Sequence, residues 1–324
     1  MNLDAWTPYL TLFLTHSPIT DTVLDRWQHE LSSTIVASSR GYQCEQSDIE
    51  IIETIESCVS VIAELARLSP SSRINLCLPH SGLHCWRFMI EHPRVEAFTY
   101  IEEGTASSKY RIGDKCLSQL GKIQKETAQC LVKLGYSTES LHRLTETETV
   151  FFDCNHKKYL GSIALLESSF EGFPSRVQLE PPTVYQTPVK SVIILFPYLI
   201  SFSTESELDY WIQRCLNHIS KINPDSIAIS PHPSNHSHSL YLLEKTKRLA
   251  GSRHCMLLSE LKHEKGIPSF METGFIKALG FISSSYNSTF YYAESVRNPA
   301  TRLIVPNTGS GPCPTANPAT HLLI

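Results

Sequence analysis

Short apolar runs alternate with longer stretches of helical period along the first half of the chain. Tyr9 to Leu14 reads as a buried strand, and Ser17-Pro18 opens a helix through about Leu31. Thr34 to Ser38 is the next strand. Ser47-Asp48 then caps a long helix in which Ile51, Ile52, Ile55, Val59, Ile62 and Leu65 recur at steps of three and four. Ile74 to Leu78, Leu83 to Ile90 and Ala97 to Ile101 follow as strand, helix and strand. Parallel strands need a crossover connection, so this alternation predicts a parallel sheet with helices laid on its faces.

A second series of the same kind runs through strand Val192 to Phe196, helix Glu205 to Ile219, strand Ser226 to Ser230, helix Ser239 to Leu249 and strand Ala278 to Ile282. Between the two lies FEGFPSRVQLEPPTVYQTP, rich in proline and without a period, as a connecting segment would be. The expected organisation is an N-terminal Rossmann-like domain over residues 1–170, a linker at 171–188 and a C-terminal Rossmann-like domain over 189–324. In open α/β sheets ligands bind at the carboxyl ends of strands, so those ends are where candidate chemistry is sought.

Composition narrows the function. With 28 basic against 32 acidic residues among 324, the chain offers no electrostatic footprint for nucleic acid. Ten cysteines occur singly and never as CxxC, which reads as thiols of a reducing compartment and not as a disulfide framework or zinc site. The opening MNLDAWTPYLTLFLTH lacks a basic start and a small-residue cleavage site, and no stretch supplies about 20 apolar residues to span a bilayer. A soluble cytoplasmic protein is expected, with peripheral contact at the inner membrane face compatible with it.

Three features stand at the carboxyl ends of predicted strands: Glu102-Glu103-Gly104, Pro231-His232-Pro233 and Ser283-Ser284-Ser285. A glycine after an acidic pair lets the chain turn sharply and leaves a carboxylate at the sheet edge. An imidazole between two prolines is presented from a stiff backbone. Serine hydroxyls and amides after a strand seat a phosphate. Taken singly, each has a bland reading as a turn, a loop or a cap, and His92-Pro93 is read as a structural second copy of the dipeptide. His232, His236 and His238 could suggest a metal cluster, but the run is polar and has no nearby acidic ligand, so they read as solvated loop histidines. There is no G-x-S-x-G, Walker loop or G-x-G-x-x-G.

In this order the motifs resemble those of bacterial sialyltransferases that carry a D/E-D/E-G motif and an HP motif, the polysialyltransferase-like group in particular. Gly280-Phe281-Ile282-Ser283-Ser284 is similar to the group's G-x-x-S-S element, and LFLTHSPIT to its opening strand. Two α/β domains joined by a linker also resemble the GT-B architecture, with the domains facing across a cleft. The resemblance implies an inverting sialyltransferase using CMP-sialic acid and a glycan acceptor, with no metal or other cofactor. It implies Glu103 as general base and His232 as the group facing the leaving phosphate. Pro233, Ser283, Ser284 and Ser285 then fall on the donor side together with Glu272, from a segment that meets the ribose, while Glu102 and Gly104 fall on the acceptor side. The second acid of the pair is Glu where the group commonly has Asp, and Glu272 sits closer to the serines than usual. A transferase of another CMP-activated 2-keto sugar acid such as Kdo, and a non-catalytic binding protein of the same fold, are the alternatives.

Overall fold

The computed structural model describes residues 74–102 except 83, 110–117, 125–197 except 146–147 and 187–189, 199, 202–283 except 252 and 270, and 288–298. It also describes four outlying strands and single helical positions at 60, 62, 67 and 107. The helix expected after Ser17-Pro18, most of the helix expected after Ser47-Asp48, and Glu103, Gly104, Ser284 and Ser285 lie outside the described residues. The chain is two Rossmann-like α/β units, Met1–Glu180 and Pro181–Ile324.

In chain order the first unit holds β1 (Thr11–Thr15), β2 (Thr34–Ser38), β3 (Ile74–Leu78), α1 (His84–Glu91), β4 (Val95–Ile101), β5 (Lys115–Leu117), α2 (Lys125–Lys133), α3 (Thr138–Thr145), β6 (Glu148–Val150), β7 (Tyr159–Ala164) and β8 (Arg176–Gln178). Strands β3, β4, β7 and β8 form a parallel sheet in that order. Strands β1 and β2 form a separate parallel pair. One core, built on Leu76, Trp86, Phe98, Tyr100, Phe152 and Phe170, packs against the four-stranded sheet.

The second unit holds β9 (Tyr185–Gln186), β10 (Ser191–Leu195), α4 (Glu205–Ile222), β11 (Ser226–Ser230), a 3-10 turn at Pro233–His238, α5 (Ser239–Ala250), β12 (Cys255–Leu257), α6 (Leu258–Glu264), a 3-10 turn at Thr273–Phe275, β13 (Ile276–Lys277), β14 (Gly280–Ser283), α7 (Ser288–Ser295), β15 (Leu303–Val305) and β16 (His321–Leu323). Its six-stranded sheet has the order β12-β11-β10-β14-β15-β16, all parallel. Counted from β10 this is the order 3-2-1-4-5-6 of the dinucleotide-binding Rossmann sheet, with its reversal between β10 and β14.

Burial on both faces explains the apolar strands. Every residue of β10 is buried: Val192 and Ile194 meet α4 and α5 on one face, while Ile193 and Leu195 meet Met256, Leu261 and Phe281 on the other. Helix α4 places Leu208, Trp211, Ile212, Cys215, Leu216 and Ile219 on its inner stripe. Thr204 Oγ1 accepts from Glu207 N at 3.2 Å to start this helix, and Asn223, in the left-handed region at φ 51°, ends it. The strand expected over Ala278 to Ile282 runs over Gly280–Ser283 instead, and a separate short strand before it, Ile276–Lys277, pairs with β9.

The units divide inside the proline-rich stretch, and both sides of the division carry structure. Arg176–Gln178 is the edge strand of the first sheet, and Tyr185–Gln186 pairs within the second unit.

Candidate active site

The sheet order of the second unit selects one place on it. Where the order reverses, the connections after β10 and β14 leave on opposite faces and open a crevice at their carboxyl ends. Ser230 and Ser283 are both register partners of Leu195, so Ser230, Leu195 and Ser283 form one row across β11, β10 and β14 at that edge. Ser283 ends β14 at the crevice itself. His232 lies two residues beyond Ser230, one strand further along. Two strand spacings, about 10 Å, separate the β11 and β14 ends of the row, a span that suits a nucleotide phosphate and the group attached to it.

The turn that carries His232 is held from behind. Phe196 N donates to Ser230 O at 2.9 Å, Asn235 N donates to His232 O at 2.7 Å, and Asn235 Nδ2 donates to Pro197 O at 3.1 Å. Asn235 is 2% exposed and ties the loop after β11 to the loop after β10. The His232 side chain is exposed, and partial burial at its base lowers its pKa. Pro233 is the first residue of the 3-10 turn. His236 and His238 are exposed. Among the described residues no group of three or more His, Cys, Asp or Glu is arranged to hold a metal ion.

Glu272 precedes the 3-10 turn before β13 and reaches the helix that follows β14. Its Oε1 accepts from Thr273 N at 3.0 Å and from Thr289 Oγ1 at 2.7 Å, and Thr289 lies in the first turn of α7. Gly274 lets this turn lie against that helix: a Cβ there would stand 2.3 Å from Thr289 O and 2.9 Å from Ala293 N. Asn298 Nδ2 donates to Ile276 O at 3.0 Å at the other end of the contact. Lys262 Nζ donates to Ser269 O and Met271 O, and burial lowers its pKa while Glu272 works against that. The Glu272 segment is thus a backing plate for the helix after the crevice strand.

On the first unit, β4 runs straight into the acidic pair. Glu102 N donates to Ile163 O at 3.0 Å, and Glu102 Oε2 accepts from Leu165 N at 2.6 Å and Leu166 N at 2.9 Å. This carboxylate clamps the end of β4 to the chain leaving β7. His92-Pro93 follows the end of α1, where Lys158 Nζ donates to Ile90 O and His92 O, and burial, with Lys158 and Arg94 nearby, pushes the His92 pKa down to about 4.

The structure therefore gathers His232, Pro233 and Ser283 on one edge of the second sheet and puts Glu272 behind the adjoining helix. Nothing in the sequence alone marks Gly274 or Thr289, and Asn235 carries only the signal of an asparagine in a turn.

No protein-family profile matches the chain, and no curated protein sequence matches it. Among solved structures it is similar to S. aureus MnaA in a co-structure with UDP, at 10% identity over 91% of this chain and 79% of that one, with a TM-score of 0.44. It is also similar to a glycosyltransferase from Rickettsia africae ESF-5, at 12% identity over 97% and 75%, TM-score 0.38. A Listeria monocytogenes protein provisionally described as a UDP-N-acetylglucosamine 2-epimerase matches at 9% identity over 92% and 79%, TM-score 0.40. These are likenesses of fold. Among the described residues no helix is long and apolar enough to cross a membrane.

Proposed function

We propose that the chain is a glycosyltransferase that moves sialic acid from CMP-sialic acid to a glycan hydroxyl, with inversion and without a metal ion. The observation that carries this reading is that His232 and Ser283 flank the β10/β14 reversal, where a Rossmann sheet holds a nucleotide phosphate. Both side-chain types serve a single phosphate: a hydroxyl donates a hydrogen bond, and an imidazolium supplies charge and a proton.

In this reading the acceptor oxygen attacks the anomeric carbon while the bond from that carbon to the phosphate oxygen breaks, and CMP departs. Glu103 takes the acceptor proton, and Glu102 and Gly104 fix the backbone on either side of it. His232 protonates or hydrogen-bonds the departing phosphate, held by the stiff turn at Pro233. Ser283, Ser284 and Ser285 bind the same phosphate. Glu272, expected at the donor ribose, instead supports the donor side through α7, which it holds by Thr289. CMP leaves with one phosphate, and its charge is within the reach of one imidazolium and a few hydroxyls.

The phosphate contacts read CMP better than they read the sugar, so transfer of another CMP-activated 2-keto sugar acid such as Kdo is the second reading. A competition assay separates them: with CMP-sialic acid, CMP-Kdo and a UDP-sugar at equal concentration, the sialyltransferase reading expects product from the first alone. Product from CMP-Kdo replaces it with the second reading, and CMP binding without turnover on any donor makes the chain a binding protein.

A further inference from the structure

Helix α4 turns an ordered stripe of side chains to solvent. At about 100° per residue, Ser206, Tyr210, Gln213, Asn217 and Lys221 fall within about 80° of one another, opposite the buried stripe, and all of them are exposed. Tyr210, 60% exposed, stands in the middle. The Arg214 guanidinium lies 5.7 Å from the centroid of its ring, and Arg214 Nη1 donates to Tyr210 OH at 3.3 Å. Gln213 Nε2 donates to Asn217 Oδ1 at 3.1 Å. The stripe is thus ordered along its length before anything meets it, and an ordered surface loses less entropy on association. Tyrosine and arginine are also the side chains that carry most of the energy in protein interfaces. Leu240 and Tyr241, at the start of α5, are 70% and 41% exposed, and Tyr241 OH donates to Glu205 Oε1 at 2.8 Å, so exposed apolar groups stand on both helices of this layer.

Charge along α4 is sorted. Glu205, Glu207 and Asp209 come before Tyr210, and Arg214 and Lys221 come after it. The helix dipole alone favours that order, but it does not account for an exposed tyrosine between the two halves. Together they make a surface complementary to itself. A copy of α4 laid antiparallel, with a two-fold axis passing between Gln213 and Arg214, brings Glu207 of each copy toward Lys221 of the other and closes Tyr210 over Asn217. Each Arg214 leans back over its own Tyr210, so the two guanidiniums point to opposite ends of the contact.

We propose that this face is a two-fold interface between two copies of the chain, with α4 packed antiparallel on α4.

Sedimentation velocity of the full chain across a range of concentrations tests this, with Glu207→Lys and Lys221→Glu measured alone and mixed. The wild-type chain should form dimers. Either substitution sets like charges opposite each other at both ends of the contact, so each variant alone should need a concentration at least about tenfold higher to dimerise. The equimolar mixture should recover the wild-type midpoint, because the new lysine of one variant faces the new glutamate of the other while the native pair meets as before. Recovery in the mixture excludes misfolding of either chain. Tyr210→Ser, which leaves untouched the bond from Ser203 N to Glu207 Oε2 at 2.7 Å, should give an independent weakening of about tenfold. A wild type that stays monomeric overturns the proposal, and its sedimenting instead with phosphatidylglycerol vesicles gives the face to a membrane. A dimer that tolerates all three substitutions, or a mixture that does not recover, overturns it as well.

Discussion

The Thr289 hydroxyl donates to Glu272 Oε1 at 2.7 Å, joining the segment before β13 to the first turn of the helix after β14. That helix begins at the crevice where donor phosphate is proposed to bind. Thr289→Val removes the tie and keeps the side chain's volume. Loss of one hydrogen bond to a carboxylate costs about 1.5 to 3 kcal/mol where the partner stays buried, and less where water replaces it. The expected result is a donor KM raised about tenfold with kcat within about threefold. Steady-state kinetics with varied CMP-sialic acid checks it, and an unchanged donor KM would mean that the tie does not bear on the donor.

Two glycines near this contact should behave in opposite ways. A methyl group on Gly274 meets the backbone of Thr289 and Ala293, whereas one on Gly280, inside the G-x-x-S-S element, meets nothing within 4 Å. Gly274→Ala should cost about 2 kcal/mol or more through overpacking, and Gly280→Ala should stay within about 0.5 kcal/mol of wild type. Urea unfolding of the two variants measures both.

A buried carboxylate in the first unit sets part of the acid stability. Glu91, 6% exposed, is held by Arg143 Nε at 2.5 Å, Arg143 Nη2 at 2.6 Å and His156 Nε2 at 3.1 Å. Burial works to raise its pKa, but hydrogen bonds from Arg143, His156 and Ser140 prevail and take it from 4.5 down to about 2. A group depressed in the folded state stabilises above its unfolded value, so this contribution is full above pH 4.5 and is lost as pH falls toward 2. Glu91→Gln should lose about 3 kcal/mol at pH 7, because it leaves Arg143 and His156 without their buried carboxylate and Arg143 with only the exposed Glu139, and should show a weaker fall in stability between pH 5 and 3 than wild type. Denaturant titrations at those pH values read both effects.

His232 should mark the pH profile. Burial lowers its pKa below the ordinary 6.5. If the imidazolium faces the leaving phosphate, kcat/KM for the donor falls as pH rises through that lowered value, since kcat/KM reports the free enzyme. Bound phosphate favours the charged ring, so the same limb in kcat should lie at higher pH. His232→Gln should remove the limb from both profiles.

Much of the fold could be read because its strands are covered on both faces. Ser191–Leu195 and Ser226–Ser230 are short, mainly apolar runs buried along nearly their whole length, Ile74–Leu78 keeps Ile, Leu and Leu at its alternate buried positions, and α4 shows its stripe openly. Strands of two or three residues such as Cys255–Leu257 and Ile276–Lys277 carry too little pattern to be seen, and they form because neighbours already in place supply the ladder. The 3-2-1-4-5-6 order is a matter of non-local pairing, which no local period reports. At the site, the positions of His232 and Ser283 at strand ends were legible. The work of Glu102 was not, because its carboxylate is bound by amides of Leu165 and Leu166, 63 and 64 residues further on.

The most direct test is CMP release from CMP-sialic acid in the presence of a glycan acceptor and EDTA, with wild type, Glu103→Gln and His232→Ala measured side by side. Metal-independent turnover in wild type, lowered at least about a hundredfold by each substitution while CMP still binds, is the predicted result. Turnover that stops on chelation, or that survives both substitutions, contradicts the account.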